Sequence, residues 1–360
     1  MKYKNAIIFG GKSTEHEVSL NSATNIFNAV DKSVFDVTLL GVDKTGKWRY
    51  NAKYPSVNIN LREVDFFSQS TEVVLEKDDE YALIIAKESK EILDSFDIAF
   101  PIIHGNFGED GTLQGFLKAL QIPFVGPDLL ASAICMDKEI TKRVLRDHGI
   151  PISNFISLDK ENKNQISFQQ VKELLGMPTF VKPCNGGSSV GVSKVNDATS
   201  FEEAIELAFT YDDNILIEEA IIGKELECAV LGNENPTASI IGELVSTREF
   251  YSYDAKYNDS QGATITIPAD IPDEISNKLR DTAVKAYKAT RCEGMARVDF
   301  FLKNDNTFVL NEINTLPGFT EISMYPKLWE FNGISFTNLI TRLVNLAIER
   351  KNNKIIKTER

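Results

Sequence analysis

Apolar positions along this chain fall into two alternating rhythms. Asn5 to Phe9 is a short apolar run stopped by Gly10-Gly11, and behind it Val18, Ala23, Ile26, Phe27 and Val30 recur at helical spacing. Thr14-x-x-Glu17 between them has the form of a capping box. Asp36 to Val42 and Asp97 to Ile103 are further strand-like runs, and Gln114 to Leu120 reads as a helix before an Ile122 to Val125 strand. Strands separated by helices predict a parallel α/β sheet for the first third. Lys53 to Lys90 is polar and irregular, and is expected to be an insertion carrying no chemistry.

A second unit follows. Lys138 to His148 is predicted helical and ends at Gly149-Ile150-Pro151, while Thr179 to Lys182 and Val192 to Val195 are strands flanking a glycine-rich turn. Phe201 to Thr210 is an amphipathic helix, and Ile215 to Glu218 is a buried strand leading to a hinge. Beyond Glu225 strands dominate until a helix over Asp273 to Arg291. Strands at Ala296 to Leu302 and Thr307 to Glu312 and a helix at Phe336 to Lys351 complete the pattern. Neither an internal repeat nor a low-complexity tract interrupts it.

Length and charge narrow the possible functions. At 360 residues the chain is long enough for two or three domains. Its formal net charge of −13 argues against a surface that coats nucleic acid or an anionic membrane. A local pocket for a small anion remains compatible with that balance. Cys135, Cys184, Cys228 and Cys292 are scattered without a C-x-x-C pair, so isolated thiols in a reducing compartment are expected. The N-terminal apolar run is too short for a signal peptide, and nothing approaches the ~18 apolar residues of a membrane span. The expectation is a soluble, cytoplasmic protein.

Gly11-Lys12-Ser13 after the first strand imitates a phosphate-binding P-loop. That motif requires another glycine where Ala6 stands, inside the strand itself. Gly10-Gly11 is better read as a sharp turn that presents the next helix, with Glu15 and Glu17, to a cleft at the sheet's C-terminal edge.

Lys182-Pro-Cys-Asn-Gly-Gly-Ser-Ser-Val-Gly191 carries more chemistry. Successive backbone N–H groups, with the Ser188 and Ser189 hydroxyls, can cradle phosphate oxygens from a flap between two strands. Arg297-Val-Asp299 and Glu312-Ile-Asn314 alternate polar with apolar, so each pair shares a strand face. If those strands pair, three oxygen ligands and a guanidinium converge, a donor set suited to Mg²⁺. His104 follows an apolar strand, where ligands bind in α/β sheets, or is a turn histidine bonded to backbone. Tyr253 to Tyr257 lies in a polar stretch suited to a lid or to surface packing.

Together these stretches resemble the D-alanine-D-alanine ligases of the ATP-grasp superfamily. The matching segments are GGKSTEHEVSLNS at 10–22, HGNFGEDGTLQG at 104–115, MDKEITK at 136–142 and VKPCNGGSSVGVSKV at 181–195. YDAKY at 253–257, RVDFF at 297–301 and NEINTLPGFT at 311–320 follow in the family's order. The resemblance implies a three-domain enzyme of mixed α/β and α+β class. Its divisions are a parallel α/β domain at 1–133, a central ATP-grasp subdomain with the flap at 134–225, a C-terminal subdomain at 226–350 and a polar tail at 351–360.

It further implies ATP and two Mg²⁺ (or Mn²⁺) ions as cofactors, D-alanine as substrate, and a homodimer without nucleic-acid or membrane partners. Lys138, Lys182 and Lys256 would hold phosphates under the Ser188 and Ser189 flap. Glu218 and Ile221 would meet adenine, and Glu225 the ribose. Asp299, Glu312 and Asn314 would be the metal ligands. Glu15 would receive the first ammonium, linked through Ser188 to Tyr257, with His104 beside that substrate. Ser323 and Met324 would take the second carboxylate. Arg297 and the Gly318 N–H would meet the oxyanion. Many family members carry lysine where this chain has Glu219, which bears on nucleotide affinity. Two competing readings are a related carboxylate-amine ligase making a different peptide and an ATP-grasp protein without turnover. Glu15 and the Tyr253 to Tyr257 stretch oppose the first, and retention of Arg297, Asp299, Glu312 and Asn314 opposes the second.

Overall fold

The computed structural model describes residues 2–54, 59–246, 263–320 and 322–353. Three sheets organise them, and each presents an edge or face to a common cleft.

The parallel part of the first sheet is β1 (Tyr3–Gly10), between β2 (Phe35–Val42) and β7 (Ile98–Pro101). The helix α1 (His16–Ala29) packs its Leu20, Ala23, Ile26 and Phe27 beneath β1. The sheet is mixed rather than parallel throughout. β3 (Trp48–Tyr50), β4 (Thr71–Lys77), β5 (Ala82–Ala86) and β6 (Ile92–Phe96) extend it by antiparallel pairing. The complete strand order is β6-β5-β4-β3-β2-β1-β7. The irregular insertion expected over 53–90 is therefore corrected: two of these strands lie wholly inside it. Val73 and Leu75 alternate into the core with Val74 between them and Glu72, Glu76 and Lys77 on either side, a period-two signal short enough to be masked by those charges. The Ile122 to Val125 segment contributes an isolated parallel bridge between Ala99 and Phe124.

The second sheet contains β8 (Phe155–Asp159), β9 (Thr179–Pro183), β10 (Ser193–Val195) and β11 (Asn214–Glu219). Its order is β10-β9-β11-β8, and every pairing is antiparallel. The helix Ala198–Phe209 covers it through Phe201, Ala204, Ile205 and Ala208. As expected, β9 and β10 pair around the glycine-rich turn.

The third sheet carries the acidic strands. β12 (Gly223–Gly232) is flanked by β13 (Thr237–Ser246) and β15 (Gly294–Lys303), with β14 (Ala263–Thr266) and β16 (Phe308–Asn314) outside. One face packs on the helix Asp273–Ala289, burying Ile275, Leu279, Ala283 and Tyr287. The other shares a core with the first sheet, in which Phe9, Phe100, Met295, Phe319, Leu328 and Leu343 meet.

The C-terminal helix Phe336–Asn353 runs past the predicted start of the tail at Lys351. On its last turns Arg350 donates to the Gly126 and Phe124 carbonyls at 2.6 and 2.5 Å and stacks on the Phe124 ring. That clamp fixes the end of the helix against the first unit. The four cysteines are buried free thiols, and no helix among the described residues is long and apolar enough to cross a membrane.

Candidate active site

Gly10 and Gly11 adopt φ of +92° and +98°, and a Cβ on Gly10 would lie 2.3 Å from the Val42 carbonyl oxygen. The chain can therefore turn directly from β1 into α1 only with glycine there. The Thr14/Glu17 capping box does not form. Glu15 occupies the N-cap position without capping the helix through its side chain, so its carboxylate projects elsewhere. The Ser188 hydroxyl donates to Glu15 Oε1 at 2.5 Å. A Cβ on Gly105 would lie 2.8 Å from Glu15 Oε2, so glycine leaves room for that carboxylate.

Ser188 belongs to the turn between β9 and β10. Ser188 and Ser189 both have left-handed backbone, at φ +53° and +60°, a conformation costly for non-glycine residues. Lys138, which opens the helix Lys138–Asp147, reaches the same turn and donates to the Gly186 carbonyl at 2.6 Å. Asp137 caps that helix by accepting from the Ile140 N–H, which places Lys138 at the cleft.

On the third sheet, register brings the expected pairs together. Arg297 lies opposite Asn314, and Asp299 opposite Glu312. The Arg297 guanidinium makes two hydrogen bonds to Asp299, at 2.8 and 2.7 Å, and its Nε lies 2.9 Å from Glu227. Burial opposes its charge, but Asp299 and Glu227 outweigh burial and push its pKa further up. The Asn314 amide donates to Asp299 at 2.9 Å. Glu227, opposite Asp299 on β12, completes a row of three acids across β12, β15 and β16. The alternation Glu225-Leu226-Glu227-Cys228 could have revealed it, since period two puts Glu227 on the face of Glu225.

No group of three or more His, Cys, Asp or Glu side chains among the described residues forms a metal cluster. The Asp299, Glu312 and Asn314 set is instead two carboxylates and an amide. These are hard oxygen donors whose chemistry fits Mg²⁺ completed by phosphate and water.

Glu218, on β11, is 5% exposed and lies between two cations. It forms ion pairs with Lys182, diagonally across on β9, and with Lys142, one turn along its helix from Lys138. Ser153 also donates to it. Burial alone would raise this carboxyl, yet Lys182 and Lys142 hold it well below the usual carboxylate range. Lys142 is a second residue the sequence reading missed, although its i,i+4 spacing from Lys138 signals a shared helix face. Glu219 accepts from the Asn154 backbone and side-chain N–H groups at 2.8 and 3.2 Å.

His104 is buried at the end of its strand. Its Nδ1 donates to the Leu316 carbonyl at 3.2 Å and lies 3.7 Å from Glu109, while Nε2 meets the Ser22 hydroxyl at 3.0 Å. Burial works against imidazolium, but Glu109 overcomes it and raises the His104 pKa. Glu109, within the 104–115 segment, is a third group the sequence reading passed over.

Glu15, His104, Lys138, Lys182, Ser188, Ser189, Glu218, Ile221 and Glu225 all line one cleft of about 1510 Å³. Arg297, Asp299, Glu312, Asn314, Gly318, Ser323 and Met324 line it as well. A Cβ on Gly318 would lie 2.7 Å from Ser323 Oγ, so glycine there leaves space for that hydroxyl. Lys256 and Tyr257 lie outside the described residues. Ile59, Asn60 and Arg62, from the stretch expected to be an insertion carrying no chemistry, also join the wall.

The paired cations make a measurable prediction. A carboxyl held below its unfolded value of about 4.5 adds stability above that pH, and the gain is lost as pH falls toward its folded value. Replacing Glu218 with Gln leaves two lysines facing a neutral amide and should cost about 3–5 kcal/mol at pH 7. Denaturant unfolding should show the gap between native and variant narrowing below pH 4.5. A gap of the same size at every pH would contradict this electrostatic account.

Comparison with known proteins places the whole chain. The family model described as D-ala D-ala ligase N-terminus matches residues 4–127, and that described as D-ala D-ala ligase C-terminus matches 144–345. The chain is 52% identical over 357 residues to D-alanine–D-alanine ligase A of Escherichia coli K12, covering 97% of this chain and 96% of that protein. It is 50% identical over 352 residues to a D-alanine–D-alanine ligase of Oceanobacillus iheyensis, covering 97% and 96%. Among solved structures, a D-alanine-D-alanine ligase of Coxiella burnetii superposes with a TM-score of 0.83 at 35% identity, covering 98% of this chain and 96% of that one. The VanG D-Ala:D-Ser ligase of Enterococcus faecalis gives 0.84 at 34%, covering 96% and 100%. With both family models matched along a fold that gathers these side chains into one cleft, the chain belongs to the D-alanine–D-alanine ligase family.

Proposed function

We propose that this protein joins two molecules of D-alanine, using ATP, to make the dipeptide that enters cell-wall peptidoglycan. The observation that carries the reading is the single cleft in which Glu15, the Ser188 flap, Arg297 and the acidic strand faces meet. Its three working parts correspond to residues 1–133, 134–225 and 226–350.

A carboxylate is a poor electrophile, so the first D-alanine must take a phosphoryl group before an amine can attack it. Glu15 receives that substrate's ammonium, and Ser188, bonded to Glu15, lets the flap close when the site is filled. His104 lies beside the substrate, with Glu109 favouring the imidazolium that offsets its carboxylate charge. Lys138 and Lys182 hold phosphate oxygens, with Glu218 and Ile221 at the base and Glu225 at the ribose. Asp299, Glu312 and Asn314 would hold Mg²⁺, which when bound neutralises charge along the polyphosphate.

The first step leaves ADP and an acyl phosphate; the amine of the second D-alanine attacks its carbonyl carbon, expelling inorganic phosphate and giving up a proton as the peptide bond forms. Ser323 and the Met324 backbone N–H, at the start of the helix Met324–Phe331, receive the second carboxylate. Arg297 and the Gly318 N–H stabilise the oxyanion that develops between the two substrates. Closure of the flap keeps water from the acyl phosphate. Tyr257, completing a chain from Glu15 through Ser188, and Lys256, beside the phosphates, belong to the same proposal.

Phosphate release with ATP should require D-alanine, and L-alanine should not substitute; D-serine is tested as a second acceptor. Equal release with L-alanine, or release without amino acid, would overturn the reading. Arg297→Ala should lower kcat by about 10²- to 10³-fold, the usual cost of losing one oxyanion donor. Near-normal turnover in that variant would remove Arg297 from the chemistry.

A further inference from the structure

Lys142 is the feature the proposed reaction leaves unused. Its side chain is 1% exposed, yet it carries an ammonium, which burial disfavours unless it is paired. It does not reach the cleft wall, which Lys138 and Lys182 do. Its partners are Glu218 and Ser153. Lys142 Nζ donates to Ser153 Oγ at 2.8 Å, Ser153 donates onward to Glu218 Oε1, and Lys142 pairs directly with the same oxygen. Ser153 is held in place from behind. Leu310 of β16 donates to the Pro151 carbonyl at 2.8 Å, and Ile152 bridges Leu310.

The two oxygens of Glu218 therefore differ. Oε1 is held by Lys142 and Ser153, both rigidly placed, whereas Oε2 pairs with Lys182 on the cleft wall. Lys182 can be drawn to an anionic ligand in the cleft, but Lys142, sealed behind Glu218, cannot. With Lys142 as a permanent partner, Glu218 remains a carboxylate with acceptor capacity and no proton to donate. Adenine offers an amino donor at the edge where guanine offers a carbonyl acceptor. An acceptor-only group rewards the first and repels the second, and a site that would leave a buried polar group unpaired rejects the wrong partner strongly.

We propose that Lys142 is a positioning residue for base selection: with Ser153 it fixes Glu218 as an acceptor turned to the adenine amino group, favouring ATP over GTP. The inference rests on Glu218 facing the base, as in the function proposed above.

Steady-state kinetics with ATP and GTP on Lys142→Met, Lys142→Arg, Ser153→Ala and Glu218→Gln test it. Lys142→Met should raise KM for ATP by about 10- to 100-fold, the cost of a lost charge-assisted hydrogen bond, and lower the ATP-to-GTP ratio of kcat/KM by a similar factor. Its kcat should stay within about threefold, as expected for binding lost equally in ground and transition states, and KM for D-alanine should not move. Lys142→Arg should recover part of the preference. Ser153→Ala, which keeps the ion pair, should shift it a few-fold in the same direction and decides the matter should Lys142→Met fail to fold. If Glu218→Gln alters the ratio while the Lys142 and Ser153 variants leave it unchanged, Glu218 faces the base but Lys142 is only structural, and the proposal fails. If no variant alters the ratio, Glu218 does not read the base, and that part of the functional reading fails too.

Discussion

The hydrogen bond from Ser188 to Glu15 joins residues 173 positions apart, and the geometry of the cleft depends on it. Glu15 stands at the start of α1, placed there by the Gly10-Gly11 turn off the first sheet. Ser188 stands at the tip of a turn off the second sheet, in a left-handed conformation that an unconstrained serine avoids. Their contact brings the turn over the acidic face of the third sheet. Space for it is built in through glycine: side chains at Gly105 or Gly187 would press on the Glu15 carboxylate. Three sheets, the first and third sharing a core and the second with its own, thereby share one cleft.

Charge within that cleft is arranged against the sign of the whole molecule. The chain carries a net charge of −13, yet Lys138, Lys182 and Arg297 line the cleft, with Lys142 buried behind Glu218. Three of these are paired with carboxylates, and Lys138 donates to the Gly186 carbonyl. Glu218 serves two lysines, and Asp299 with Glu227 serves the arginine. Such pairing keeps buried cations charged, at the expense of any variant that removes one partner. A polyanionic substrate entering the cleft meets cations already oriented, so little reorganisation is left for the reacting complex.

Much of this was legible in the sequence because the signals are local. Period two places Arg297 with Asp299 and Glu312 with Asn314, and the strands do pair in the register that joins them. Glycine and serine between two strands marked the flap. The failures have equally physical causes. Thr14 and Glu17 have the right spacing for a capping box, but the turn from β1 makes Glu15 the N-cap residue and directs it to Ser188 instead. β4 hides in a charged stretch because it supplies only two buried positions to an antiparallel extension. Lys142 escaped because its role depends on a distant segment: Glu218 lies 76 residues beyond it. No spacing rule reports a contact of that range.

If the Ser188–Glu15 contact closes the site, it must protect a reactive intermediate from water. The direct measurement is the ratio of phosphate released to dipeptide formed, in the native protein and in Ser188→Ala. The native enzyme should release one phosphate per dipeptide. The variant should release an excess, as the proposed acyl phosphate is lost to hydrolysis before the second amine attacks. A ratio that stays at one in Ser188→Ala, with turnover unchanged, would contradict the central role of that contact.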